Sequence, residues 1–259
     1  MNAGLNLFSI RNLIKTEQDF LDTAIKLREM GYSSMQYSGG EFIPERIARV
    51  SKAAELPVIL THVPYNRIVD DTNALMAEHD SFNCKAIGLG ALNSQLLLNE
   101  SELKACVEKL NRAAEIMYNN GFVFSYHHHS FEFFKINGET VFDYMLKNAP
   151  YIRFTIDTYW LQYGGVDVAK TIEKVGNRIA FIHLKDYKIE EQLKEDGSSY
   201  RFNPNFAPVG DGNINFRDIV SICNKLGMDK FIVEQDNAAL LPDSLRQVER
   251  SIKYIKTNL

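Results

Sequence analysis

The residues able to do chemistry recur in one setting, the polar end of a short apolar run. His62 follows PVILT, and His127, His128 and His129 end the run that begins at Phe122, with Glu132 just beyond. Asp157 closes YIRFTID; His183 lies in IAFIHL, with Lys185 and Asp186 next; Glu234 closes KFIVE, with Asp236 beyond. Of the six histidines, the one outside this pattern is His79, inside a helix-like segment. Taken singly, each residue has a plain role, a hydrogen-bonded structural histidine or an aspartate capping a helix. Gathered at one place, the carboxylates would repel one another unless a cation compensated. Glu132, Asp157, His183 and Glu234 form a mixed oxygen and nitrogen set suited to one divalent ion, Mn, Mg, Co or Zn, with no thiolate to insist on zinc.

The elements that must position these groups follow from periodicity. Short β-like runs alternate with longer amphipathic segments eight times, the pattern of βα units around a parallel sheet. The expected strands are residues 5–10, 34–37, 57–61, 93–98, 122–129, 151–157, 179–184 and 230–234. Between them, residues 17–30 carry Phe20, Leu21, Ala24, Ile25 and Leu27 at helical spacing before Gly31, and Ser101 opens a strongly amphipathic helix that ends at Gly121. Residues 197–213, rich in Gly, Pro, Asn and Asp, read as a long loop able to close over a ligand. Eight such units with no linker between them predict a single (β/α)8 TIM barrel forming one domain over residues 1–259. A doubly wound sheet is the alternative, and it would be expected to carry a GxGxxG or GxxxxGK[ST] turn, which this sequence lacks. In a barrel the strand ends converge on one mouth, which is where the polar residues above fall.

Composition narrows the partners. A chain that is 45% apolar and 24% charged is globular. A formal net charge of -4 argues against affinity built on nucleic-acid phosphates and for a small neutral or anionic metabolite. Cys84, Cys106 and Cys223 are odd in number and far apart, as buried thiols in a reducing cytoplasm would be. With no apolar run near 18 residues and no leader pattern at the N-terminus, neither a membrane span nor export is expected.

These motifs resemble the sugar phosphate isomerase/epimerase group of the xylose isomerase-like barrels, a superfamily shared with abasic-site endonucleases. YHHHSFEF at 126–133 is similar to a YHNHxFEF pattern, IDTYW at 156–160 to LDxYW, and HLKD at 183–186 stands unaltered. PVGDGNINF at 208–216 and VEQD at 233–236 resemble the family's late loop and last strand. The resemblance implies that Glu132, Asp157, His183 and Glu234 hold the metal, and that His129 and Lys185 lie around substrate, with His62 ending the third strand. His128 departs from the pattern, since relatives often carry Asn there.

The chemistry implied is proton transfer on a ketose or keto-polyol whose carbonyl and neighbouring hydroxyl chelate the ion. Glu132 removing a proton and Glu234 returning one would epimerise a carbon, while a single base would isomerise. The alternatives are an inosose dehydratase-like or other keto-sugar lyase or hydratase reaction at the same metal, with Lys185 protonating a leaving hydroxyl, and a sugar-binding barrel without turnover. Trp160 offers an apolar face to a sugar ring, and Arg201 a cation to a phosphate or carboxylate, against the plain readings of core packing and a solvated loop. For His127, packing is the expected role. A phosphodiester-cleaving endonuclease fits poorly, because it needs a fuller ligand set and a basic face. The sequence leaves the oligomeric state open.

Overall fold

The computed structural model describes residues 1–195 and 197–259. Eight parallel strands close into a barrel: β1 (Gly4–Asn6), β2 (Ser34–Tyr37), β3 (Val58–His62), β4 (Ala86–Leu89), β5 (Val123–His127), β6 (Arg153–Asp157), β7 (Ile179–Leu184) and β8 (Phe231–Val233). Each pairs with its sequence neighbour, and β8 returns to β1 through Gly4↔Ile232 and Leu5↔Val233. The expected (β/α)8 architecture is therefore present, with helices over the outer face of the sheet.

Local chemistry sets the helix limits. Thr16 and Asp19 form a reciprocal capping box before Glu17–Met30, and Gly31, at φ 97°, ends that helix in a left-handed turn that glycine adopts without steric cost. Asn99 caps Glu100–Asn119, and Asp167 caps Val168–Val175. Phe20, Tyr37, Phe124, Tyr126, Phe142 and Phe154 are fully buried within the large apolar cluster that joins helices to sheet. A second, smaller cluster, Leu60, Ala86, Phe181 and Ile232, fills the amino-terminal half of the barrel interior. Strand alternation then assigns the next inward position on each strand to the opposite half, the mouth.

Three expectations are corrected. The fourth strand is Ala86–Leu89, and residues 93–98 lie instead at a 3-10 turn, Ser94–Leu98. A four-residue strand containing Gly88 carries too little alternation to compete with the apolar QLLL that follows it. The first strand stops at Asn6, after which Leu7–Leu13 turns in 3-10 geometry. The expected long loop at 197–213 contains a strand: Tyr200–Ala207 pairs antiparallel with Asp186–Leu193 in a hairpin that leaves the barrel after β7. Among the described residues no helix is long and apolar enough to cross a membrane, and all three cysteines are buried and unpaired.

Candidate metal centre

The last inward side chains of the strands meet at the mouth. One ligand atom each from His127, Asp157, His183 and Glu234 lies within 4.8 Å of the others, and all four residues are buried. His127 Nε2 is 3.3 Å from Asp157 Oδ2 and 3.8 Å from Glu234 Oε2. His183 Nδ1 is 3.1 Å from Glu234 Oε2 and 3.9 Å from Asp157 Oδ2. Atoms sharing one divalent ion at about 2.1 Å stand roughly 3.0–3.4 Å apart, so this spacing needs little adjustment.

The protons on the two imidazoles are already placed for such an ion. Gln36, inward on β2, accepts from His183 Nε2 through Oε1 at 2.7 Å and donates through Nε2 to His62 Nε2 at 2.9 Å. With its proton on Nε2, His183 turns the bare Nδ1 toward the carboxylates. His127 in the same way donates from Nδ1 to the Gly90 carbonyl at 2.9 Å, leaving Nε2 bare. Burial holds the His127 ring well below the usual histidine range, so it is neutral. Neither ring nitrogen that faces the carboxylates has a proton to give them, and a cation placed between these lone pairs and oxygens would satisfy both. The charge balance agrees. Asp157, Glu234 and Asp236 surround one ammonium, Lys185, and the two negative charges left over match one divalent ion. The donor set therefore fits an oxygen- and nitrogen-liking divalent metal.

Lys185 is 1% exposed, with Nζ 2.7 Å from Asp236, 3.2 Å from Glu234 and 3.7 Å from Asp157. Burial alone would lower its pKa, but Glu234, Asp157 and Asp236 carry it upward, so it stays charged. Glu234 is held well below the usual carboxylate range because the Lys185 ammonium outweighs its burial, and Asn6 Nδ2 donates to its other oxygen. Burial raises Asp157 against the pull of Lys185, and its Oδ1 also caps the helix Thr158–Tyr163 at Trp160 N, 3.0 Å away.

The expected ligand Glu132 is not in this group. It follows β5 in the turn Phe131–Phe133, where one oxygen accepts from the Tyr126 hydroxyl and the other from His129 N at 2.7 Å. Tyr126 sits on the helix side of β5, and burial lifts the carboxyl to about 7. His127 stands where Glu132 was expected, and its assignment to packing is likewise corrected. The signal was present in the sequence: Phe124 and Tyr126 are the large apolar residues that belong under the helices, which turns Ser125 and His127 inward.

The other expected contacts divide. His62, His129, Lys185 and Trp160 gather at the mouth: the His62 and His127 rings stack at 5.5 Å, His129 lies 4.8 Å from His127 and 5.0 Å from Trp160, and Lys185 Nζ is 4.9 Å over the Trp160 ring. His129 Nδ1 and Trp160 Nε1 are buried and make no hydrogen bond among the described residues, so both are open to a ligand's hydroxyls. Arg201 is elsewhere, exposed on the hairpin opposite Gln192, about 17 Å along the strand from Phe206 at the mouth. That distance places it outside the group of side chains at the mouth. His128 serves the frame, accepting from Asp157 N at 3.1 Å and so tying β5 to β6. Asp186 anchors the late loop, taking the backbone N–H groups of Gly210, Gly212 and Ile214, and a Cβ at Gly212 would lie 2.3 Å from its Oδ1. Gln36 and Asn6 are site residues that sequence reading missed, because amides at strand ends carry no charge signal.

Comparison with known proteins agrees with this architecture. The chain is 29% identical over 285 aligned residues to an inosose dehydratase from Clostridium perfringens, covering 99% of this chain and 87% of the relative. Among solved structures it superposes on a sugar phosphate isomerase/epimerase from Parabacteroides distasonis with TM-score 0.80 at 21% identity, covering 99% of this chain and 94% of the other. A xylose isomerase-like TIM barrel protein from Mycobacterium smegmatis, solved in complex with magnesium, superposes with TM-score 0.68 at 16% identity over 98% and 94% of the two chains. The family model described as xylose isomerase-like TIM barrel matches residues 26–258, and the chain belongs to that family.

Proposed function

We propose that this protein is a divalent metal-dependent enzyme that removes a proton beside the carbonyl of a keto-polyol and expels water from the adjacent carbon. His127, Asp157, His183 and Glu234 would hold the ion. When bound, it supplies Lewis-acid polarisation of the substrate carbonyl, which acidifies the neighbouring C–H.

The observation that carries this reading is the pair Glu234 and Lys185, an ionised carboxylate and a charged ammonium 3.2 Å apart on the same side of the mouth. Glu234 takes the proton from carbon, and Lys185 gives one to the departing hydroxyl. The C–H and C–O bonds break, a C=C bond forms and water leaves. Glu234 then returns its proton to Lys185 across the same 3.2 Å. The elimination is syn, because acid and base lie on one face. His129 Nδ1 and Trp160 Nε1 hold hydroxyls, and the Trp160 and Phe206 rings keep bulk water from Lys185. Among relatives, the similarity to an inosose dehydratase supports a cyclic keto-polyol as the substrate.

Two-base epimerisation needs a second carboxylate across the substrate, and Glu132 lies outside the group at the mouth, held by Tyr126 and His129 N. One-base isomerisation by Glu234 is the second reading, supported by the same carboxylate. Metal-replete protein should be offered a panel of ketoses and inososes in deuterated solvent, following α-proton exchange by NMR and water loss by the absorbance of the conjugated product. Wild type should show both with an inosose. K185M should keep exchange and lose elimination. Exchange without elimination in wild type would favour isomerisation, and neither signal with any sugar would overturn the enzymatic reading.

A further inference from the structure

The hairpin Asp186–Leu193 and Tyr200–Ala207 has two unlike faces. Its register sets Tyr187 opposite Phe206, Ile189 opposite Pro204, Glu191 opposite Phe202 and Leu193 opposite Tyr200. Directly opposed residues of an antiparallel pair share a face, so seven of these eight side chains form one apolar strip about 27 Å long. The other face carries Lys188, Glu190, Gln192, Arg201, Asn203 and Asn205. The base of the strip packs on the barrel, where Tyr187 and Phe206 lie on Tyr159 at 5.3 and 4.8 Å. Farther out, Ile189, Leu193, Tyr200 and Phe202 are 49%, 58%, 60% and 67% exposed. A two-stranded ribbon is marginal in water until its apolar face is covered.

The strip continues onto the rim. Tyr159 stacks on the exposed Tyr163 at 5.4 Å, and Tyr163 walls a groove of about 570 Å³ with Leu97, Leu98, Phe131 and Phe134. Leu98 is 84% exposed there. One chain thus presents both a projecting apolar strip and a concave apolar groove, joined by a row of tyrosines. At about 200 Å² per large side chain, the exposed parts of the four arm residues with Leu98, Phe134 and Tyr163 amount to on the order of 800 Å². A standard protein interface takes about 800 Å² from each partner.

We propose that the occupant is a second copy of this chain. The arm of each subunit lies in the rim groove of the other, and a two-fold axis makes the contact twice. Phe131, on the groove, stacks on His129 at 5.3 Å with the rings 5° from parallel, so the partner's arm buries the back of a mouth histidine. The dimer does not depend on the reaction proposed above.

Sedimentation of the full chain between about 1 and 100 μM should show a dimer. F202D and L193D on the arm, and L98D in the groove, should each raise the dissociation constant by at least about 30-fold, the effect of removing a central apolar anchor. R201E, on the polar face, should change it less than about threefold. Circular dichroism and metal binding, unchanged in all four, keep loss of fold apart from loss of association. Mixing F202D with L98D gives a heterodimer with one intact arm-in-groove contact, so the mixture should associate more tightly than either variant alone. A monomeric wild type, a dimer indifferent to all three substitutions, or a mixture no tighter than its components would each overturn the proposal.

Discussion

The two halves of the barrel interior are built by the same strands and hold opposite chemistry. Toward the amino-terminal end, Leu60, Ala86, Phe181 and Ile232 make an apolar plug. Two residues further along those strands or their neighbours, His62, His183 and Glu234 join Gln36, His127 and Asp157 in a layer with no apolar member. Moving one inward position along a strand crosses from packing to chemistry. The plug gains free energy from burial, whereas the mouth assembles carboxylates and lone pairs that Lys185 balances in part and that a divalent cation would complete. Packing and the proposed site therefore occupy adjacent layers, and substitutions in each should separate them.

The largest effect should come from Asp157→Asn. Loss of one anionic ligand should lower divalent-metal affinity by more than about 100-fold, since even a residue supporting a ligand is worth 10–100-fold. Wild-type protein at a metal concentration about 1,000 times its dissociation constant gains roughly 4 kcal/mol of stability. The variant should lose that gain, read as a melting temperature no longer raised by manganese or lowered by chelator, with the metal-free circular dichroism unchanged. A variant that keeps full metal occupancy would remove Asp157 from the ligand set.

Phe181→Ala tests the opposite layer. Truncating a buried phenylalanine should cost about 3 kcal/mol, the low end of the usual range because the plug opens onto a cavity at the base of the barrel. Urea denaturation reads the loss, and metal affinity of the folded protein should not move. A fall in affinity beyond about threefold would mean that the two layers are coupled through the strands.

How far this contrast was readable before the structure follows from the signal each residue carries. His62, Asp157, His183 and Glu234 stand out because a titratable side chain at the end of an apolar run is costly without a purpose. Gln36 and Asn6 occupy equivalent positions but are uncharged, so nothing in residue type separated them from ordinary strand-end amides. In the triplet at 127–129 the type was clear and the direction was not. The outward pair Phe124 and Tyr126 fixes that direction once it is weighed. The hairpin was missed because its second strand, YRFNPNFA, contains a proline and two asparagines, which read as loop chemistry. Its proline is tolerated because the ribbon has edges on both sides.

His79 offers a contrast of a different kind, a histidine buried for structure. Its Nε2 is 2.7 Å from the Thr61 hydroxyl and its Nδ1 is 2.7 Å from the Leu75 carbonyl, outside the barrel wall. Burial lowers its pKa from 6.5 to about 4. Between those values the unfolded chain binds the proton and the folded chain does not, so stability is present above pH 6.5 and is lost as pH falls toward 4. H79Q, which keeps a hydrogen-bonding side chain without the titration, should remove up to about 3 kcal/mol of that pH dependence in chelator-treated protein. A slope unchanged in the variant would assign the acid sensitivity to the mouth histidines instead.

The smallest effect expected, and the most specific to the mouth, is at Gln36. Its amide touches no ligand atom that faces the carboxylates, and it acts by fixing which nitrogen of His183 carries the proton. Without it, Nδ1 and Nε2 compete for the proton, and the fraction of rings ready to ligate through Nδ1 falls. Gln36→Met, of similar length and apolar, should weaken metal binding by about 10-fold, at the low end for a group that orients a ligand. A merely structural role would leave the coordination itself alone, so the discriminating readout is the visible spectrum of the cobalt-loaded protein. Altered ligand-field bands in Q36M, with F181A spectrally identical to wild type, would place Gln36 with the mouth. Unaltered bands together with a lowered melting temperature would move it to the packing side of the boundary.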